Sequence, residues 1–319
     1  MPPQSNHFIQ GLFFSLTTLL CWAMLPIGLK LAADFIDAIT LTWFRFLVAL
    51  VLVFIWQSYR GQLSEFSALN RNDWLRLLAA GVFLIINYIT FANSLSYLHP
   101  GIAQLNFQTA PFYLAAGGLL FLGDKIFRQQ WLCFGGIAIG LLLFFHPYLT
   151  GDTQTEISVV GLVIIQISSL SWSLYALLQK ALFSKLSPSN ILLAIYAVAA
   201  LTMWPFADMS QLAAPSTDEI LILTFCSLNT LVAYGALSQA MRYWQTVQVS
   251  AMIALTPIAS FLLSELCVLL MLWPDYIQSA HLGPVSVVGI LIVVGCAVLV
   301  QLVTARIQRQ SVKVNPDAI

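Results

Sequence analysis

Residues 88–111 read YITFANSLSYLHPGIAQLNFQTAP, and residues 234–257 read YGALSQAMRYWQTVQVSAMIALTP. A constant offset of 146 places Tyr88 on Tyr234, Asn93 on Gln239, Tyr97 on Tyr243 and Pro111 on Pro257. Further out the offset drifts to 150, where Trp22 meets Trp172. An internal repeat fixes architecture before any local feature does, so the first question is what each copy contains.

The 319-residue chain is 60% hydrophobic and 8% charged, against about 25% charged in a soluble domain. A soluble globular fold is excluded. Its 13 basic and 13 acidic side chains cancel, which leaves no basic face for nucleic acid and too little charge for a disordered chain. A bilayer core takes about 20 apolar residues per helix. Runs of that size are expected at residues 8–31, 39–57, 74–96, 102–122, 131–148, 158–180, 190–206, 220–241, 246–272 and 284–304. The turn signal His99-Pro100-Gly101 divides one long run into two, and His281-Leu282-Gly283-Pro284 precedes the last. The fold class is therefore an all-α polytopic membrane protein of ten transmembrane helices. The first run has no preceding Lys or Arg and is too long for a signal peptide, so it reads as a retained helix. Cys21, Cys133, Cys226, Cys267 and Cys296 all fall inside apolar spans and read as small buried hydrophobes.

Basic residues collect in cytoplasmic loops. With both termini cytoplasmic, the inner segments hold Arg60, Arg71, Arg76, Lys125, Arg128, Lys180, Lys185, Arg242, Arg306, Arg309 and Lys313, eleven of the thirteen bases. The outer segments hold acids and Lys30. Each half has five spans, an odd number, so the second copy lies inverted relative to the first. The division is residues 8–148 and 158–304, followed by a short basic cytoplasmic tail at 305–319. Inverted repeats mark transporters, because the two halves can exchange conformations around a central site.

Polar side chains in hydrocarbon must face protein or a wet cavity. Span five has no Ser, Thr, Asn or Gln, and Gly136 with Gly140 gives it a small-residue face for close packing. Polar stripes at helical spacing run along span three (Asn87, Thr90, Ser94, Tyr97), span four (Gln104, Gln108, Pro111), span six (Ser168, Trp172, Tyr175, Gln179) and span eight (Ser227, Thr230, Tyr234, Ser238). The serines and threonines read as interhelical glue. The amides Asn87, Asn93, Gln104, Gln108 and Gln239 are candidates either for glue or for a cavity wall, as are the aromatics Trp22, Trp172, Tyr175 and Tyr234. Trp56, Trp74 and Trp131 read as interfacial belt residues.

Pro111 and Pro257 sit mid-helix and deprive the carbonyls of Phe107 and Ile253 of their partners, which creates kinks that are either hinges or static bends. Two charges lie within spans. Glu265 is a candidate for proton or substrate handling, and Arg45 is expected to be structural, snorkelling to the outer interface beside Asp37, or else to fix an acidic group.

Taken together, Trp22, Arg45-Phe46, Ala110-Pro111, Leu122-Gly123-Asp124-Lys125, Gly136, Leu255-Thr256-Pro257 and Gly289 give the chain a family likeness. It resembles the drug/metabolite transporter superfamily, in particular its ten-helix members built of two EamA-type halves, across roughly residues 8–304. It departs from that family in reading Gly123-Asp124 where Gly-Glu is usual, and Trp273-Pro274-Asp275 at the second-half counterpart. The resemblance implies a transporter of small metabolites, often an exporter, with a cavity lined by spans one, three, four, six, eight and nine.

The expected function is thus a secondary transporter of a bacterial inner membrane, moving a small and possibly amino-acid-like metabolite outward by alternating access. Its partners are that solute, the lipid bilayer and protons as candidate coupling ions, with no nucleic acid. No P-loop, His-Glu-x-x-His, Gly-x-Ser-x-Gly or metal-ligand cluster is present in the sequence, so no catalytic residue, cofactor or metal is expected. The competing classes are a channel or sensor and a membrane-embedded enzyme. Cavity walls of amides and aromatics with almost no fixed charge favour a neutral, zwitterionic or weakly amphipathic solute over a polyanion.

Overall fold

The computed structural model describes residues 4–314 apart from 95, 99, 125, 147–157 and 275–282. The expected turn at His99, the break at His281 and the acid Asp275 fall outside the described residues. Twelve α-helices are described: α1 Gln4–Ala32, α2 Ala38–Tyr59, α3 Arg71–Ser94, α4 Pro100–Phe107, α5 Ala110–Phe121, α6 Arg128–Phe144, α7 Val159–Ala181, α8 Pro188–Met203, α9 Thr217–Tyr243, α10 Thr246–Ile253, α11 Thr256–Leu269 and α12 Pro284–Val314. They make ten spans because α4 with α5, and α10 with α11, are the two segments of spans kinked at Pro111 and Pro257. Most of the 305–319 tail is not a separate segment, since α12 continues without interruption to Val314.

Local chemistry sets the helix starts. Asp37 caps α2 by accepting from the Ile39 and Thr40 amides at 2.8 and 3.0 Å, which satisfies donors that have no partner inside the helix. Ser216 and Glu219 form a capping box at the start of α9. Large apolar side chains such as Phe13, Phe121, Leu201 and Leu291 lie exposed on the outside of the bundle, as hydrocarbon solvent permits. Trp56, Trp74 and Trp131 are exposed as well.

The packing obeys the repeat. α1 packs along α9 and α3 along α7, two interfaces that exchange when the halves are exchanged. α2 packs on α8 and α6 on α12, and each of these interfaces is its own image. Individual contacts follow the same rule. Thr18 Oγ1 donates to the Ala233 carbonyl at 3.3 Å, and Ser168 Oγ donates to the Asn87 carbonyl at 3.0 Å; the offsets of 150 and 146 turn one bond into the other. The Phe46 and Tyr196 rings, 150 positions apart, stack at 5.8 Å.

Between α6 and α12, a Cβ built on Gly140 would sit 2.9 Å from the Gly289 carbonyl oxygen, and one on Gly289 would sit 2.6 Å from the Gly140 carbonyl oxygen. Only residues without a side chain allow backbones this near each other. Span five, which carries no polar stripe, accordingly packs against span ten and away from the centre.

Candidate functional site

The halves meet in an aromatic seam. Trp22 of α1 stands edge-on to Trp172 of α7 at 5.7 Å and to Tyr234 of α9 at 5.8 Å, and Tyr175 stands edge-on to Tyr234 at 5.9 Å. Such tilted ring pairs are the favoured geometry of facing aromatics. The hydroxyls of Tyr88 and Tyr234 hydrogen-bond at 2.9 Å. Below them Gln179 Oε1 accepts from Ser238 Oγ at 2.7 Å and from the Tyr175 hydroxyl at 3.3 Å. Trp172, Tyr175 and Tyr234 are buried, whereas Trp22 and Tyr88 are partly exposed. The structure thus brings together the four aromatic candidates and adds Tyr88, whose signal in the sequence was its repeat relation to Tyr234.

The amide candidates scatter. The Asn87 amide donates to the Ser168 carbonyl at 3.2 Å and to Ser168 Oγ at 2.9 Å, fastening α3 to α7. Gln108 is buried at the break between α4 and α5, while Gln104 on α4 and Gln239 on α9 are part-buried. Asn93 is exposed near the end of α3.

At the prolines the helices kink: the regular ladder breaks after Phe107 and after Ile253 and resumes at Ala110 and Thr256, while Thr109, Ala254 and Leu255 keep helical backbone angles. Pro111 and Pro257 each take the second position of the new helix, where a missing N–H costs nothing. Kinks at matching places in the two halves are what an inverted repeat produces. The two breaks are braced unequally. Across the first, Ser169 Oγ donates to the Phe107 carbonyl at 3.4 Å, Ser173 Oγ to the Ala110 carbonyl at 2.9 Å and the Gln166 amide to the Asn106 carbonyl at 3.3 Å. The positions of α1 equivalent to Gln166, Ser169 and Ser173 are Leu16, Leu19 and Ala23; none of them can form a side-chain hydrogen bond to the second break.

Arg45 corrects the snorkelling expectation. It is 2% exposed, its Nε donates to Thr230 Oγ1 at 2.7 Å, and its Cζ lies 5.8 Å from the centre of the Tyr88 ring. The side chain therefore turns inward, toward the seam. Glu265 is the part-buried tenth residue of α11.

The residue that sequence reasoning undervalued is Asp124. Its Oδ2 accepts from the Thr246 backbone N–H at 2.9 Å, from Thr246 Oγ1 at 2.6 Å and from Lys180 Nζ at 3.3 Å. One carboxylate from the first half thus caps α10 and pairs with α7 in the second. The offset of 150 also relates Lys180 to Lys30, a signal that could have marked this position.

A separate cavity of about 320 Å³ lies at the same end, lined by residues that include Glu65, Ser184, Lys185 and Arg242. There Glu65 accepts from the Ser187 N–H and the Asn190 amide, each at 2.7 Å. Among the described residues all five cysteines are free and no group of His, Cys, Asp and Glu could hold a metal.

A ten-span helical bundle with an aromatic seam and paired kinked helices has the architecture of a membrane carrier. The EamA-like transporter family matches residues 9–146 and 159–302, and the chain belongs to that family. It is 32% identical over 289 residues to a protein of Escherichia coli strain K12 named "Uncharacterized inner membrane transporter YhbE", covering 90% of this chain and 89% of the relative. It is 29% identical over 289 residues to an "Uncharacterized transporter" of Haemophilus influenzae, covering 91% and 94%. A solved crystal structure superposes with a TM-score of 0.73 at 16% identity, over 96% of this chain and 99% of the other, which is a likeness of fold.

Proposed function

We propose that the protein is a secondary transporter that moves a small metabolite across a bacterial inner membrane by alternating access, in the export direction, with both termini cytoplasmic. The observation that carries this reading is the Tyr88–Tyr234 hydrogen bond at 2.9 Å. It joins two residues that the repeat makes equivalent, so the contact lies on the axis about which the halves exchange, and the kinked helices flank the same seam. The Asp124–Lys180–Thr246 contacts join the halves at the end assigned to the inside, as an inner gate would. The eleven bases assigned to the inner segments support the orientation, as the names of the relatives support the membrane and the carrier class. The solute passes between Trp22 and Trp172 as the halves rock, and Glu265 is the candidate to exchange a proton.

Counterflow in proteoliposomes tests the class. A carrier exchanges labelled solute faster when unlabelled solute is loaded on the opposite side, whereas a channel shows no acceleration. Unaccelerated flux of every transported solute would overturn the reading. Glu265→Gln is expected to uncouple transport from a proton gradient while leaving exchange intact.

A further inference from the structure

We propose that Arg45 is an anion-binding residue of the seam, and that the solute bound there carries a single carboxylate with an apolar body. The inference rests on the carrier reading above and narrows its substrate class.

The Arg45 guanidinium is buried, and its Nη2 makes no hydrogen bond among the described residues. The ion pairs among the described residues, Arg76 with Asp73, Lys180 with Asp124 and Lys185 with Asp73, leave Arg45 without a carboxylate. Its hydrogen-bond partner among the described residues, Thr230, is neutral and already donates its hydroxyl proton to the Cys226 carbonyl at 2.9 Å. A buried cation without a counter-charge is expensive, and proteins ordinarily pair or neutralise it. A second buried polar atom with no partner among the described residues, the Tyr196 hydroxyl, lies within electrostatic range of the same charge.

Packing does not require this arginine. Its equivalent at the offset of 150 is Ile195, which is fully buried, so the same architecture closes equally well around an aliphatic side chain. What the guanidinium adds is a planar fork of donors suited to a carboxylate. The other base on this seam's elements that turns inward, Lys180, is engaged by Asp124. One open cation matches one negative charge, and a multiply charged phosphate ester would need more.

The location connects binding to movement. The Arg45 Cζ faces the Tyr88 ring at 5.8 Å, and Tyr88 is hydrogen-bonded to Tyr234 on the axis between the halves. A carboxylate on Arg45 therefore lies beside the contact about which the halves turn, and its apolar body would face the indole of Trp22, which meets both Trp172 and Tyr234 at the same seam.

The test uses the purified full-length protein, its Arg45→Met and Arg45→Lys variants, and two readouts. The first needs no ligand: Arg45→Met removes an unpaired buried charge, so the empty variant is expected to melt at or above the wild-type temperature. An arginine held for structure gives a lower one, which would overturn the proposal. The second is thermal stabilisation by the proteinogenic L-amino acids and the straight-chain monocarboxylates from acetate to octanoate, each compared with its carboxamide. Carboxylates are expected to stabilise the wild type at least about tenfold more tightly than their amides, as befits a charge-assisted hydrogen bond. Arg45→Met should lose the preference and Arg45→Lys should keep part of it. Equal binding of amides, an unchanged preference in Arg45→Met, or no stabilisation by any carboxylate would overturn it. The binding readouts decide the anion site by themselves, and counterflow separately decides the carrier reading.

Discussion

The Tyr88 and Tyr234 hydroxyls meet at 2.9 Å although the residues stand 146 positions apart, the same spacing that relates the two copies of the internal repeat. A contact between equivalent positions lies on the axis that exchanges them. Phe46 with Tyr196, Trp22 with Trp172 and Gly140 with Gly289 mark other points along the interface between the halves. Because these contacts are their own images, they persist in kind when the halves trade conformations, and the contacts off the axis are the ones that change.

Removing one hydroxyl of the pair leaves the other without its partner in a part-buried site. Tyr88→Phe and Tyr234→Phe are each expected to cost about 1 kcal/mol of stability, and the double variant less than the two together, with a coupling of about 0.5–1.5 kcal/mol. Denaturation of the four proteins in one detergent measures it. Strictly additive losses would mean that the hydroxyls do not interact.

Gly140 and Gly289 bring α6 against α12. Gly140→Leu or Gly289→Leu forces the helices apart and is expected to destabilise the protein by about 1–3 kcal/mol or more, as overpacking does. Gly135, where an added Cβ meets nothing within 4 Å, is the control. Gly135→Ala should leave the melting temperature unchanged or raise it, since alanine favours the helix.

At the inner loops, burial pushes the Glu65 carboxyl up, but the Ser187 N–H, the Ser187 hydroxyl, the Asn190 amide and the Arg242 charge together hold it below the ordinary value. A lowered acid contributes stability above its unfolded value of about 4.3 and loses it as pH falls through the folded value. Stability of the wild type is therefore expected to be flat in this respect from pH 7 to 5 and to fall below about pH 4. Comparison of melting temperature against pH with Glu65→Gln isolates the contribution. Parallel curves for the two proteins would contradict it.

The unequal bracing of the kinked helices predicts unequal motion. Gln166, Ser169 and Ser173 hold the first break, while the equivalent positions in the other half, Leu16, Leu19 and Ala23, carry no side-chain donor. Amide hydrogen exchange is expected to be faster at Ala254 and Leu255 than at Gln108 and Thr109. Replacing Gln166 by Leu should narrow the difference; faster exchange at the first break in the wild type would reverse the assignment.

Much of this architecture could be read in the chain. The ten apolar runs, the matched prolines and the pairing of Trp22 with Trp172 are local or periodic features, and both periodicity and offset survive in a linear sequence. What could not be read depends on partners far along the chain. Arg45 looked like an interfacial charge because Thr230, its partner, lies 185 positions on. Asp124 looked like a weakened family signature, and its meaning comes from Thr246 and Lys180. The sequence leaves Asn87 open between interhelical glue and a cavity wall, and it is a serine of α7, 81 positions on, that takes its amide contacts. The prolines mark the kinks, but not the side chains that take up the freed carbonyls, such as Ser169 at Phe107, 62 positions away.

The central claim is that the two ends of the seam open in opposition. In a variant with all five cysteines replaced, spin labels at Phe121 and Arg242 report the inner end, and labels at Ser96 and Met271, all four of them exposed positions, report the outer end. Electron–electron distance measurements in lipid nanodiscs are then compared with and without Asp124→Asn, which removes the charge that holds α5, α7 and α10 together. The account predicts that the inner distance lengthens and the outer distance shortens together. An inner distance that lengthens while the outer one stays fixed, or no change in either, would contradict it.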